Sequence, residues 1–157
     1  MASDDPKLSA PYEAIPSALW VIALLAIAPF PISAVAYGFG SANVARPALT
    51  IILTWSAVVL AFLGGVRWGL ETSRNEPRWE RQAISALSPV IAWGVLLSRG
   101  RFHDKWIIGG CICAFLIQWL FDHQAPDVPA RYPRLSTAMT AAACISLAVC
   151  LDQAIRG

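Results

Sequence analysis

Apolar runs of a nearly constant length dominate the chain and limit what it can fold into. They cover residues 17–38, 47–70, 79–98, 105–121 and 135–155, each close to the roughly 20 residues a helix needs to cross about 30 Å of hydrocarbon. Segments of that length hide their backbone polar groups from lipid by becoming helices. The reading is an all-α integral membrane bundle of five transmembrane helices with its termini on opposite sides. The third run is the weakest, because its uncharged part starts only at Gln82 and Glu80 and Arg81 must reach back to the interface. A four-helix alternative would place both termini on one side and leave a Trp-rich apolar segment in water.

Composition agrees. Of the 157 residues, 57% are hydrophobic and 14% charged, and mean hydropathy is +0.55, whereas soluble domains are roughly a quarter charged. Seven tryptophans suit a chain whose ends meet lipid headgroups, where the amphipathic indole is favoured. A net charge of +2, with basic residues scattered between the apolar runs, argues against nucleic acid as a partner. Asp4, Asp5, Lys7 and Glu13 give residues 1–16 the character of a polar tail rather than of a signal or transit peptide. Residues 17–157 then form a single domain, since no connection between runs is long enough to fold alone.

Helix parity distributes the charges. The N-terminal side collects Lys7, Arg74, Arg78, Arg81, Arg131 and Arg134, with Arg67 just beneath it. The opposite side holds Arg46, Arg99, Arg101, Lys105 and Arg156. The slight excess on the first side favours a cytoplasmic N-terminus.

Three features bear on function. Arg67 sits just inside an apolar helix end, a placement that costs a few kcal/mol unless the guanidinium is paired or reaches the interface. Glu71 follows one turn later, and parity brings Asp122, His123 and Arg134 to the same end. This polar cluster reads either as an ion-pair network closing the bundle, which is favoured about two to one, or as a pocket for an anionic headgroup, a quinone or another ligand. Second, Pro29, Phe30 and Pro31 break the first helix, because two prolines remove two amide donors. A small cavity is expected there, and Pro89 is expected to bend the third helix. Third, Ala57, Ala61, Gly65 and Gly69 recur at four-residue steps, a ridge on which another helix can approach closely.

Other chemistry is disfavoured. His103 and His123 are 20 residues apart, about 30 Å along a helix, so they cannot share one haem iron. No HExxH, phosphate-cradling glycine loop or GxSxG occurs. Cys111, Cys113, Cys144 and Cys150 lie in apolar runs without a CxxC and read as packing residues. No metal, catalytic residue or cofactor is expected, although a lipid or quinone would suit the polar cluster.

Ala28-Pro29-Phe30, Phe62-Leu63-Gly64-Gly65-Val66-Arg67-Trp68-Gly69, Ser88-Pro89-Val90-Ile91-Ala92-Trp93, Phe121-Asp122 and Arg134-Leu135-Ser136-Thr137-Ala138-Met139-Thr140 together resemble the transmembrane protein 69-like family, a domain of unknown function numbered 3429. The resemblance spans nearly all of the membrane region. It implies a multi-pass protein of bacterial inner membranes, with relatives associated with mitochondria, and supplies no activity. The expected role is that of a non-enzymatic accessory or scaffold subunit of a larger respiratory or photosynthetic membrane complex. The alternative is a small-molecule, quinone or lipid-binding or transport protein using the polar pocket on the N-terminal side. Expected partners are membrane lipids and other membrane subunits.

Overall fold

The computed structural model describes residues 17–73, 76, 78–124 and 131–156. The tail 1–16 and Arg74 lie outside the described residues, as does the side chain of Arg131. The described residues form helices joined by short turns, with no strand: α1 (Ser17–Ile27), α2 (Pro29–Phe39), α3 (Ala42–Thr72), α4 (Trp79–Leu97), α5 (Asp104–His123) and α6 (Arg131–Arg156).

The first apolar run is divided as the prolines require, but at a single residue. Ala28 separates α1 from α2 and keeps right-handed helical angles, φ −52° and ψ −41°. The segment Trp20–Phe39 is therefore long and apolar enough to cross a membrane as one unit. The expected break is an interruption of the hydrogen-bond ladder rather than an unwound loop. Prolines at 29 and 31 withhold the donors that would reach the carbonyls of Leu25 and Ile27, and the next bond, from the Ile32 amide to the Ala28 carbonyl, is stretched to 3.5 Å. The Trp55 indole of α3 donates to the neighbouring Ala26 carbonyl at 2.8 Å, pinning the interruption to the bundle.

Among the described residues four segments have the length and apolarity of a membrane span: Trp20–Phe39, Ala42–Thr72, Asp104–His123 and Tyr132–Arg156. The helix α4 is not one of them. Glu80, Arg81 and Gln82 occupy its first turn, and they dilute a helix of only 19 residues. Of the five expected spans, four thus meet the physical criterion as they stand.

The elements pack as neighbours in sequence do: α2 and α4 flank α3, α6 lies against α5 and α2, and α1 rests mainly on α6. The core contains Phe30, Ile52, Leu53, Leu60, Leu63, Ile108, Phe115 and Leu147, all essentially without exposed surface. Phe30 and Phe115 meet edge to face with ring centroids 6.0 Å apart. Cys111 and Cys150 are buried in this core and all four cysteines are free thiols.

The small-residue ridge requires a correction. A Cβ placed on Gly65 or Gly69 would meet nothing within 4 Å, so neither glycine packs inside the bundle, although Ala57 is buried. The close approach falls at Gly64, where a Cβ would come within 2.9 Å of both the Ser85 carbonyl oxygen and Ser88 Cβ of α4. The reason lies in α4. Pro89 has no amide to offer the Ser85 carbonyl one turn earlier, and the freed oxygen lies against the bare Gly64 backbone. Pro89 stays within a continuous α4, and its structural consequence is this crossing.

Candidate functional site

The described structure brings the end of α3, the middle of α4, the end of α5 and the start of α6 together around one carboxylate. Asp122, the last buried residue of α5, has a side chain with no exposed surface. Four donors converge on it. Ser136 Oγ donates to Oδ2 at 2.6 Å, the Tyr132 hydroxyl donates to Oδ2 at 3.3 Å, Gln118 Nε2 donates to Oδ1 at 3.1 Å, and Arg67 Nη1 donates to Oδ1 at 3.5 Å. The Ser88 hydroxyl of α4 donates in turn to Gln118 Oε1. Tyr132 also lies 3.4 Å from the Leu63 carbonyl oxygen. The carboxylate therefore ties α3, α4, α5 and α6 to one another.

Local sequence explains why these groups meet. Gln118 and Asp122 are four residues apart on α5, as are Tyr132 and Ser136 on α6, so each pair shares a helix face. In an apolar environment each polar group must find a partner from within the protein, and the two faces satisfy each other. Arg67 is 12% exposed at its side chain, and its guanidinium carbon lies 5.7 Å from the centre of the Phe121 ring. A cation over an aromatic face, next to a carboxylate, is held on two sides.

The remaining members of the expected cluster lie around this centre rather than in it. Glu71 is buried, accepts from the Arg78 backbone amide at 3.0 Å and stands 3.9 Å from Arg81 Nη1. It therefore joins the end of α3 to the start of α4. His123 is exposed, with its ring 4.4 Å from that of Trp119 and Nδ1 3.1 Å from the Trp119 carbonyl oxygen. Arg134 is exposed on α6. The sequence reading missed Gln118, Ser88, Tyr132 and Ser136. A signal was available for Gln118, because a lone amide in the middle of an apolar run must have a partner.

Beside this network lies a cavity of about 380 Å³ between α1, α3 and α6, with Ala23, Ala26, Trp55 and Met139 among its lining residues. Tyr132 and Ser136 also line it, with their hydroxyls turned away to Asp122. Ile22, Val58 and Phe62 line it as well and are 58%, 50% and 54% exposed, which opens the cavity sideways from the bundle. The interruption at Ala28 borders it through the Trp55 to Ala26 bond, while Phe30 and Pro31 do not line it.

These elements define a helical membrane protein closed at one end by a buried polar network, with a lateral apolar cavity beside it. The sequence profile of the family described as Protein of unknown function (DUF3429) matches residues 15–151, and the chain belongs to that family. Transmembrane protein 69 of Xenopus tropicalis is 30% identical over 99 residues, covering 60% of this chain and 38% of the relative. The chain thus spans well under half the length of that curated relative. No solved structure matches it.

Proposed function

We propose that this protein is a non-enzymatic, five-span membrane protein that holds an apolar small molecule or lipid chain in the lateral cavity. The observation that carries the reading is an almost wholly apolar cavity of about 380 Å³ between α1, α3 and α6 that opens sideways past Ile22, Val58 and Phe62. Ligand sites are commonly concave, mostly apolar and supplied with a few placed polar groups, in volumes of roughly 300–1,000 Å³. The hydroxyls of Tyr132 and Ser136 are turned to Asp122, so these two residues face the cavity with carbon. The fitting molecule therefore carries an extended apolar body, such as a lipid acyl or isoprenoid chain.

The Arg67–Asp122 network supports a structural rather than a catalytic role for these charges, because Asp122 is surrounded by donors from its own chain. The antiparallel pairing of α4 along α3 supports α4 as the fifth span, with Glu80 and Arg81 at the interface and termini on opposite sides. The charge excess on the N-terminal side supports a cytoplasmic N-terminus, in a bacterial inner membrane.

The test is extraction of the protein in a mild detergent, followed by organic extraction and mass spectrometry of whatever is retained. Stoichiometric recovery of one hydrophobic molecule from the native chain, and its loss from Ala26→Leu, is the expected result. Equal recovery from both proteins, or none from either, would overturn the reading. A second reading, an accessory subunit of a respiratory or photosynthetic complex, draws support from Gly65 and Gly69, which leave an open face on α3 beside the exposed Phe62 and Trp68. Crosslinking in native membranes that yields only the lone chain would sink it.

A further inference from the structure

At the opposite end of the bundle, away from the cavity, α4 and α5 enclose a groove under a basic turn. The chain leaves α4 at Ser98 and reverses through Gly100, whose φ of +80° lies in the left-handed region that glycine adopts freely. The amides of Arg101 and Phe102 both donate to the Ser98 carbonyl, at 3.1 and 3.2 Å, so the turn is held by its own backbone. Within seven residues it carries Arg99, Arg101 and Lys105 against one carboxylate, Asp104. Among the described residues no ion pair engages these three cations. Arg99 Nη2 donates instead to the Thr50 hydroxyl at 2.8 Å.

Beneath the turn, the groove has a volume of about 380 Å³ and is lined by Gly94, Val95, Phe102, Trp106, Ile107 and Gly110 among others. Its two glycines are bare, for a Cβ on either would meet nothing within 4 Å. Phe102 and Trp106 are 62% and 69% exposed, at the level where aromatic residues favour the membrane interface. An apolar slot below, aromatic rings at its mouth and unpaired positive charge above form the complement of one kind of molecule.

We propose that this groove binds an anionic glycerophospholipid, with an acyl chain against Gly94 and Gly110 and the phosphate held by Arg101 and Lys105. Charge complementarity selects this occupant, since no ion pair among the described residues engages Arg101 or Lys105 and a phosphate at the mouth of the slot supplies the acceptor for charge-assisted hydrogen bonds. The site requires α4 to be a span, and it is independent of the cavity at the other end.

The full chain placed in nanodiscs of equal phosphatidylglycerol and phosphatidylcholine, released for native mass spectrometry, supplies the test. The native protein should retain phosphatidylglycerol in at least about tenfold preference. Arg101→Gln with Lys105→Gln should reduce its affinity about thirtyfold, corresponding to about 2 kcal/mol. Gly94→Leu, which adds bulk where there is open space and changes no charge, should also abolish retention while leaving thermal stability intact. Equal retention of the two lipids overturns the proposal. So does undiminished phosphatidylglycerol on Gly94→Leu, which would mean surface attraction alone, or a changed oligomeric state with that variant, which would mean a partner helix occupies the groove. Ala26→Leu in the distant cavity should leave phosphatidylglycerol retention unchanged, so either reading can fail without the other.

Discussion

The two ends of this bundle hold charge in opposite ways. At the end where α5 finishes and α6 begins, Asp122 has no exposed side-chain surface and takes hydrogen bonds from α3, α5 and α6. At the other end Arg156 pairs with Asp152 at 2.9 Å, but their side chains are 73% and 53% exposed and one helical turn apart. The first arrangement links helices distant in sequence and excludes solvent. The second links a helix to itself in contact with water. The difference teaches that the number of ion pairs says little here: what matters is whether breaking one would strand a partner in a medium unable to replace it.

The largest expected effect follows directly. Asp122→Ala leaves the Arg67 guanidinium and the Ser136 hydroxyl without their acceptor, and loss of one partner from a buried pair costs about 3–5 kcal/mol. Thermal unfolding in detergent should show a large drop in midpoint, whereas Asp152→Ala should stay within about 0.5 kcal/mol of the native chain. Comparable losses from the two substitutions would break the comparison.

Within the buried end, Ser136→Ala removes the shortest of the hydrogen bonds on Asp122, 2.6 Å. A hydrogen bond to a charged group contributes about 1.5–3 kcal/mol, so this variant should fall between the two aspartate variants. A loss as small as that of Asp152→Ala would mean that the other donors redistribute around the carboxylate.

The packing contrast inside α3 is testable in the same assay. Gly64→Val forces a Cβ to within 2.9 Å of α4, and overpacking of this kind costs about 1–3 kcal/mol. Gly65→Ala meets open space and should be neutral or raise stability by up to about 1 kcal/mol through helix propensity. A reversal of this order would mean that the α3–α4 crossing is set by Gly65 after all.

A buried hydroxyl supplies a small effect of the opposite sign. Thr140 is 4% exposed, and among the described residues its hydroxyl has no hydrogen-bond partner. Thr140→Val replaces a buried polar atom by a methyl of similar shape, and should stabilise the fold by about 1 kcal/mol. A loss of stability would reveal a partner for the hydroxyl.

Much of the site was legible from residue type and parity. Arg67 had to be paired or near water, and Asp122 stood on the same side, so their meeting at 3.5 Å follows from the expense of isolated charge in an apolar medium. Ser136 was harder to read because a serine hydroxyl in a helix can bond to its own preceding turn, as Ser56 does to Ile52, and Tyr132 because a tyrosine at a helix start can turn its hydroxyl to water. Only their position facing α5 turns them into Asp122 donors. Gly64 and Gly65 illustrate the same limit. Adjacent glycines are equivalent in composition, and a helix rotation of about 100° decides which of them meets a neighbour.

By itself, then, the sequence determined the helical class, the approximate place of each apolar segment, the interruption near Pro29 and the end of the bundle where Arg67 and Asp122 would collect. These follow from run length, from the missing amide of proline and from helix parity, all properties of the chain before it packs. Tertiary structure alone decided the azimuth of each helix. That rotation put Gly64 rather than Gly65 against α4, surrounded Asp122 with donors, and left the cavity between α1, α3 and α6, because close-packed neighbours rather than local propensity select which face turns inward.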